Sequence, residues 1–273
     1  MSDERRSAQN CLEMWLVNCI LWRWLDVAVK YRYPIGVLVL GLAAAGIQCS
    51  STTICPHDPP EARYHFILGA SDNTGNGHDG VIHGPVPTSD VHGIENSALL
   101  FESDSQYVEF PWTLTSKQQA AVTIGARVNL NVTPENNVIY FESTSSSTAA
   151  RIILSVWSEG TIGFAWRDFV LDGSPQRRYM ESQPVIQFQT WHDIVAVLDA
   201  VTQTQQIYVD GRLVHADSVR TSNIGDSDPS MIRVGRLTTS TPNYFDGILD
   251  ELVVYHRALG AAEVRQIFSG LCS

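Results

Sequence analysis

From residue 191 to 216 the chain reads WHDIVAVLDAVTQTQQIYVDGRLVHA, and its apolar positions recur every second residue through three short runs: 191–198, 205–209 and 212–215. A period of two places successive side chains on opposite faces of a strand. Asp210-Gly211 joins the second and third runs, and a tight primed turn needs residues that tolerate positive φ. The polar connection 199–204 joins the first two. Three antiparallel strands are predicted, with Trp191, Val195 and Val197 on one buried face.

The same pattern recurs along most of the chain. Residues 121–130 (AVTIGARVNL) alternate cleanly, with Val122, Ile124, Ala126 and Val128 on one face. Segments 63–68, 97–102, 106–110, 137–142, 151–157, 161–166, 179–188, 231–235 and 244–257 read as further strands at the spacing of an all-β sandwich. One stretch breaks the period. Residues 258–268 (ALGAAEVRQIF) repeat at helical spacing, with Leu259, Val264, Ile267 and Phe268 as the buried face.

The first quarter follows different rules. Residues 1–32 form an amphipathic cytoplasmic segment in which Trp15 and Trp22 suit a membrane interface, or an extended leader that is discarded. Residues 33–55 carry no charge and read as a signal anchor or a signal peptide, with Ala43-Ala44-Ala45 as a cleavage site and a lipid anchor at Cys49 as a third possibility. Lys30 and Arg32 before this segment place the N-terminus inside and the main domain outside. Residues 56–62 are a linker, and 63–273 the folded domain. Such a protein is membrane-anchored with its domain outside the cytoplasm, or secreted. In that setting Cys55 and Cys272 are expected to pair, since the termini of a sandwich often lie close. Cys49 with Cys55 is the alternative.

Charge narrows the partners. The net charge of -11 over 273 residues argues against nucleic acid, which requires a basic face. The five cysteines show no zinc spacing.

Three motifs occur in order: GASDNTGNGHDG (69–80) leading to ALLFESDSQYVEF (98–110), then WHDIVAVLD with QQIYVDGRLV, then IRVGR with YFDGILDELVVYHRALGAAEVRQIF (244–268). Together they resemble the laminin-G-like domains of the concanavalin A-like lectin and glucanase jelly-roll superfamily, over residues 63–268. The resemblance implies an all-β fold, a two-sheet antiparallel jelly-roll sandwich with a short C-terminal helix. It also implies a module that binds carbohydrates, proteins or cell surfaces, in many members with calcium. Members often place an early-loop Asp and the late-motif Asp near one cation, which here maps to Asp72 and Asp250.

Not every property of that superfamily has residues here to carry it. Glucanases of this fold carry Glu-x-Asp-x-x-Glu on one strand, and no such run exists here, nor a nucleophile elbow, a zinc helix or a phosphate loop. A non-catalytic module is therefore expected, taking a glycan or a cell-surface protein. Trp157, Trp166, Tyr179 and Tyr244 are the candidates for stacking on sugar rings. Asp72, Asn76 and Asp250 offer the oxygen ligands that calcium prefers, although Asx-Gly clusters also simply make turns.

Overall fold

The computed structural model describes residues 55–67, 69–102, 105–110, 119–133, 136–144, 150–169, 175–219, 230–237 and 243–269. The chain divides into two units, Met1–Ser51 and Thr52–Ser273, and every described residue belongs to the second. The amphipathic segment, nearly all of the apolar segment and Cys272 therefore lie outside the described residues. Cys55 is disulfide-bonded. Among the described residues no helix is long and apolar enough to cross a membrane.

The domain is a sandwich of two antiparallel sheets. The larger sheet runs in the order β13 (Arg212–Ser218), β12 (Thr204–Val209), β11 (Trp191–Asp199), β6 (Ala121–Leu130), β15 (Asp246–Tyr255), β4 (Ala98–Glu102) and β3 (Val86–Thr88), and β1 (Ala62–Tyr64) also pairs with β15. The smaller sheet runs β10 (Pro175–Glu181), β9 (Ile162–Phe169), β8 (Ala150–Val156), β7 (Asn137–Thr144), β14 (Ser230–Val234), β5 (Tyr107–Phe110) and β2 (Val81–His83).

Alternation explains the core. Val122, Ile124, Ala126 and Val128 of β6 point between the sheets with Ile194, Ala196 and Leu198 of β11, and meet Ile152, Leu154, Phe164 and Ile232 from the smaller sheet. The hairpin after β12 turns as its sequence predicts, with φ of 50° at Asp210 and 72° at Gly211. Asp210 also tethers the start of β11, where its carboxylate accepts from the Asp193 N–H at 3.0 Å.

The other side of β11 is buried too. Val195 and Val197 face outward, away from the main core, and lie under a second apolar cluster made by Leu259, Val264, Ile267 and Phe268 with Val253 and Tyr255 of β15. Trp191 shares this outward parity at the strand's end and is only half-buried, so it is not the core residue its motif suggests. The segment predicted as a helix supplies this cover with the expected apolar face. Only Ala261–Val264 is α-helical, however; we call it α1. Beyond it the chain continues in turns, the Gln266 and Ile267 N–H groups both donating to the Glu263 carbonyl. The carbonyls of Ile267 and Phe268 accept from guanidinium groups of the sheet, Arg63 at 3.4 Å and Arg127 at 2.8 Å.

Several strands depart from expectation: β1 is shorter than the predicted 63–68, β2 was not predicted, and two others have a plain cause. The strand predicted at 179–188 lies at Pro175–Glu181. Pro184 has no N–H to give a ladder, and the next two N–H groups, of Val185 and Ile186, both donate to the Gly160 carbonyl instead. β3, after the turn read at Gly84-Pro85, was not predicted; it contains Pro87, and as the outermost strand of its sheet it tolerates a missing donor.

Candidate functional site

Two outer surfaces collect the candidate residues. The first lies on the larger sheet beside the end of α1. Here β15 carries a bulge, so that Asp250 opposes Arg127 while the extra residue, Glu251, takes a left-handed φ of 49°. A bulge turns the strand locally and re-aims its side chains. Asp250 and Glu251 both line a cavity of about 280 Å³, shared with Arg63, His65, Asp90, His92 and Arg127. Ile67 and Ile94, also lining it, are 63% and 58% exposed.

The groups in this cavity constrain one another. Arg127 is held by a bidentate pair with Asp193 at 2.7 and 3.0 Å. His65 Nδ1 meets Glu251 Oε1 at 2.5 Å. Asp250 is 5% exposed and accepts one hydrogen bond, from the Glu251 N–H at 2.7 Å. Burial, reinforced by the neighbouring Glu251 charge, pushes the Asp250 carboxyl up to about 7.

Asp72 does not belong to this cavity. Its carboxylate is the hub of its own loop, accepting from the Arg63 N–H at 3.3 Å, the Thr74 N–H at 3.0 Å, the Thr74 hydroxyl at 2.7 Å and the His78 N–H at 3.2 Å. Burial would raise its pKa; these donors outweigh burial and hold it below the usual carboxylate value. Asn76 is likewise committed, its side-chain amide donating to the Glu61 carbonyl at 2.9 Å. Among the described residues no group of three His, Cys, Asp or Glu side chains is placed to hold a metal ion. Asp72 and Asn76 thus serve their own loop, while Asp250 lines the cavity.

The second surface is the outer face of the smaller sheet. The strand registers set Tyr179, Ala165, Ile153, Phe141, Arg233, Glu109 and Val81 in one row across all seven strands. Phe141 and Ala165 are buried at 2% and 4%, so the middle of the row is closed. Its ends are open. At one end Tyr179 is 43% exposed and stacks with Trp157, ring centroids 5.9 Å apart and planes 29° from parallel. Trp157 lies over Gly163, where an added Cβ would come within 3.1 Å of the indole nitrogen. The pair forms an aromatic ledge built on the β8–β9 hairpin and β10. At the other end Tyr107 stacks on His83 at 4.5 Å, with Arg233 at 5.1 Å and Arg236 at 5.6 Å from its ring centroid.

The four aromatic candidates therefore separate. Trp157 and Tyr179 come together, and Tyr244 joins the opposite cluster, 5.9 Å from Arg236. Trp166 is excluded as a sugar contact. It shares the inward parity of Ile162 and Phe164, is 1% exposed, and packs at 5.6 Å from the Phe164 ring inside the sandwich. Tyr107, His83, Arg233 and Arg236 were missed. The outward phase of Tyr107 in QYVEF was readable, but nothing in the sequence links it to Arg236.

A laminin G family model, described as the concanavalin A-like lectin/glucanases superfamily, matches residues 102–265. Among solved structures, the chain is similar to domain 4 of AbnA, a GH43 extracellular arabinanase from Geobacillus stearothermophilus, in complex with arabinotriose. The TM-score is 0.56 at 17% identity, covering 76% of this chain and 97% of that one. It is also similar to the native heptameric SAP-like pentraxin from Limulus polyphemus, with a TM-score of 0.50 at 18% identity, covering 63% and 82%. A third likeness is to the botulinum neurotoxin serotype D ligand binding domain in complex with N-acetylneuraminic acid. There the TM-score is 0.58 at 8% identity, covering 78% of this chain and 51% of that one, about half its length. At these identities the likeness establishes the fold alone. No curated protein matches the chain.

Proposed function

The chain belongs to the concanavalin A-like lectin/glucanases superfamily, and we propose that its domain is a non-catalytic glycan-binding module. The observation that carries the reading is the Trp157–Tyr179 ledge, two stacked rings at the open end of an outer sheet face. Aromatic rings present a large apolar face at little entropic cost, which suits the C–H face of a sugar ring, while their polar edges serve its hydroxyls. The arabinanase domain with arabinotriose and the toxin domain with N-acetylneuraminic acid lend the reading support from the same fold. The lack of a Glu-x-Asp-x-x-Glu strand supports a role without hydrolysis. The uncharged run 33–55 supports a domain held outside the cytoplasm, by an anchor or after cleavage.

The test is a glycan array followed by calorimetry on the best hit. Trp157→Ala and Tyr179→Ala are each expected to weaken binding at least about tenfold, or about 1.4 kcal/mol, with the melting temperature nearly unchanged. A hit bound equally well by both variants would sink the ledge as the site. A cell-surface protein is the second reading, favoured by the exposed Ile67 and Ile94 beside the charged cavity. Ile67→Asp abolishing capture of a cell-surface protein, with glycan binding intact, would establish it.

A further inference from the structure

We propose that Arg236, which lies against the rings of Tyr107 and Tyr244, is a binding site for the anionic group, carboxylate or sulfate, of an acidic saccharide. Four arginines lie over aromatic rings among the described residues: Arg127, Arg233, Arg236 and Arg257. Three of them are neutralised, Arg127 by Asp193 at 2.7 Å, Arg233 by Glu109 at 3.0 Å and Arg257 by Glu263 at 2.7 Å. Arg236 is the exception. No carboxylate or carbonyl among the described residues accepts from it, and its Nε is enclosed without a partner. In a chain of net charge -11, carboxylates are abundant, so an arginine left without one stands out.

The surroundings define what would complete it. Arg236 bridges to Tyr244 in an isolated β-pairing just beyond β14, which anchors its backbone. The rings of Tyr107 and Tyr244 lie 5.6 and 5.9 Å from its guanidinium carbon. The in-plane N–H donors of a guanidinium form a rigid fork that matches a carboxylate or sulfate. The hydroxyls of Tyr107 and Tyr244 also make no hydrogen bond among the described residues. Arg233, committed to Glu109, approaches the same Tyr107 ring and adds positive potential. A site rich in unspent donors beside two aromatic faces asks for an acceptor-rich anion attached to a ring.

That the anion is carried by a saccharide rests on the glycan reading above. Arg233 and Tyr179 share one cross-strand row, four strand spacings apart, about 19 Å at about 4.8 Å per spacing. The anion site is therefore distinct from the Trp157–Tyr179 ledge, and the two can fail separately.

The experiment follows the Arg236 Nε–Hε resonance of the ¹⁵N-labelled domain, assigned with Arg236→Lys, at fixed ionic strength. The probes are D-glucuronate, N-acetylglucosamine 6-sulfate, acetate and D-glucose. Saturable shifts with glucuronate or with the sulfated sugar are expected, and which of them acts identifies the anion. Binding should be at least tenfold weaker for acetate, absent for glucose, and at least tenfold weakened by Arg236→Gln. A resonance unmoved by both acidic sugars would overturn the site, and equal affinity for acetate and glucuronate would overturn the saccharide. Trp157→Ala should leave the response intact. An Arg236 response without any Trp157-dependent glycan would refute the ledge instead, and a Trp157-dependent neutral glycan with a silent Arg236 would refute this site alone.

Discussion

The outer faces of the two sheets come from the same alternation of side chains but meet solvent in different ways. On the larger sheet the outward positions Val195, Val197, Val253 and Tyr255 are all apolar, and the segment after β15 lies across them as a lid. Arg127 and Arg63 fasten that lid by donating to the carbonyls of Phe268 and Ile267. On the smaller sheet the outward row mixes rings, charges and small residues, and no helix among the described residues packs on it. The first face has spent its arginines on structure. The second keeps exposed rings at one end and an arginine without a carboxylate at the other, the residue types that a ligand rather than the fold would complete.

The sharpest way to break this comparison is to place one charge on each face. Val195→Asp puts a carboxylate under the lid, and a loss of about 4 kcal/mol is expected from burying an unpaired charge. Tyr179→Asp, on the open face, should cost less than about 1 kcal/mol. Denaturant melts measure both; similar losses would mean that the smaller sheet's face is also structural.

A smaller effect concerns the acid confined at the covered face. Asp250 has a folded pKa of about 7 against an ordinary aspartate value of 3.8, so the folded state holds its proton more tightly. Its contribution is fully present below about pH 4 and is lost as pH rises through 7. Asp250→Asn keeps the acceptor for the Glu251 N–H and removes the charge. It should stabilise the domain by about 1–3 kcal/mol at pH 8 and leave it unchanged at pH 4. A pH-independent difference would show that Asp250 is solvated or bound to a cation.

The smallest expected effect is that of calcium. Since the oxygens of Asp72 already serve the N–H groups of its own loop, melting in calcium and in EDTA should agree within about 1 °C. A clear upward shift in calcium would reopen the loop as a metal site and the covered face as a ligand face.

Much of this molecule was legible in its residues alone. The period of two, the Asp210-Gly211 turn and the apolar face of Leu259, Val264, Ile267 and Phe268 specify strands, a hairpin and a lid, because these depend on neighbours along the chain. Parity even separates Trp166 from Trp157, once the inward phase of Ile162 and Phe164 is followed one step further. What parity cannot tell is which buried side of a strand faces the main core. Val195 and Val197 are as apolar as Ile194 and Ala196, and only the docking of the C-terminal segment distinguishes the two sides. The site depended on tertiary structure for the same reason. Trp157 meets Tyr179, and Arg236 meets Tyr107, across strands far apart in sequence, and the pairing register decides which side chains share a row. The donors that Asp72 accepts from within its own loop likewise take their direction only once the chain has folded.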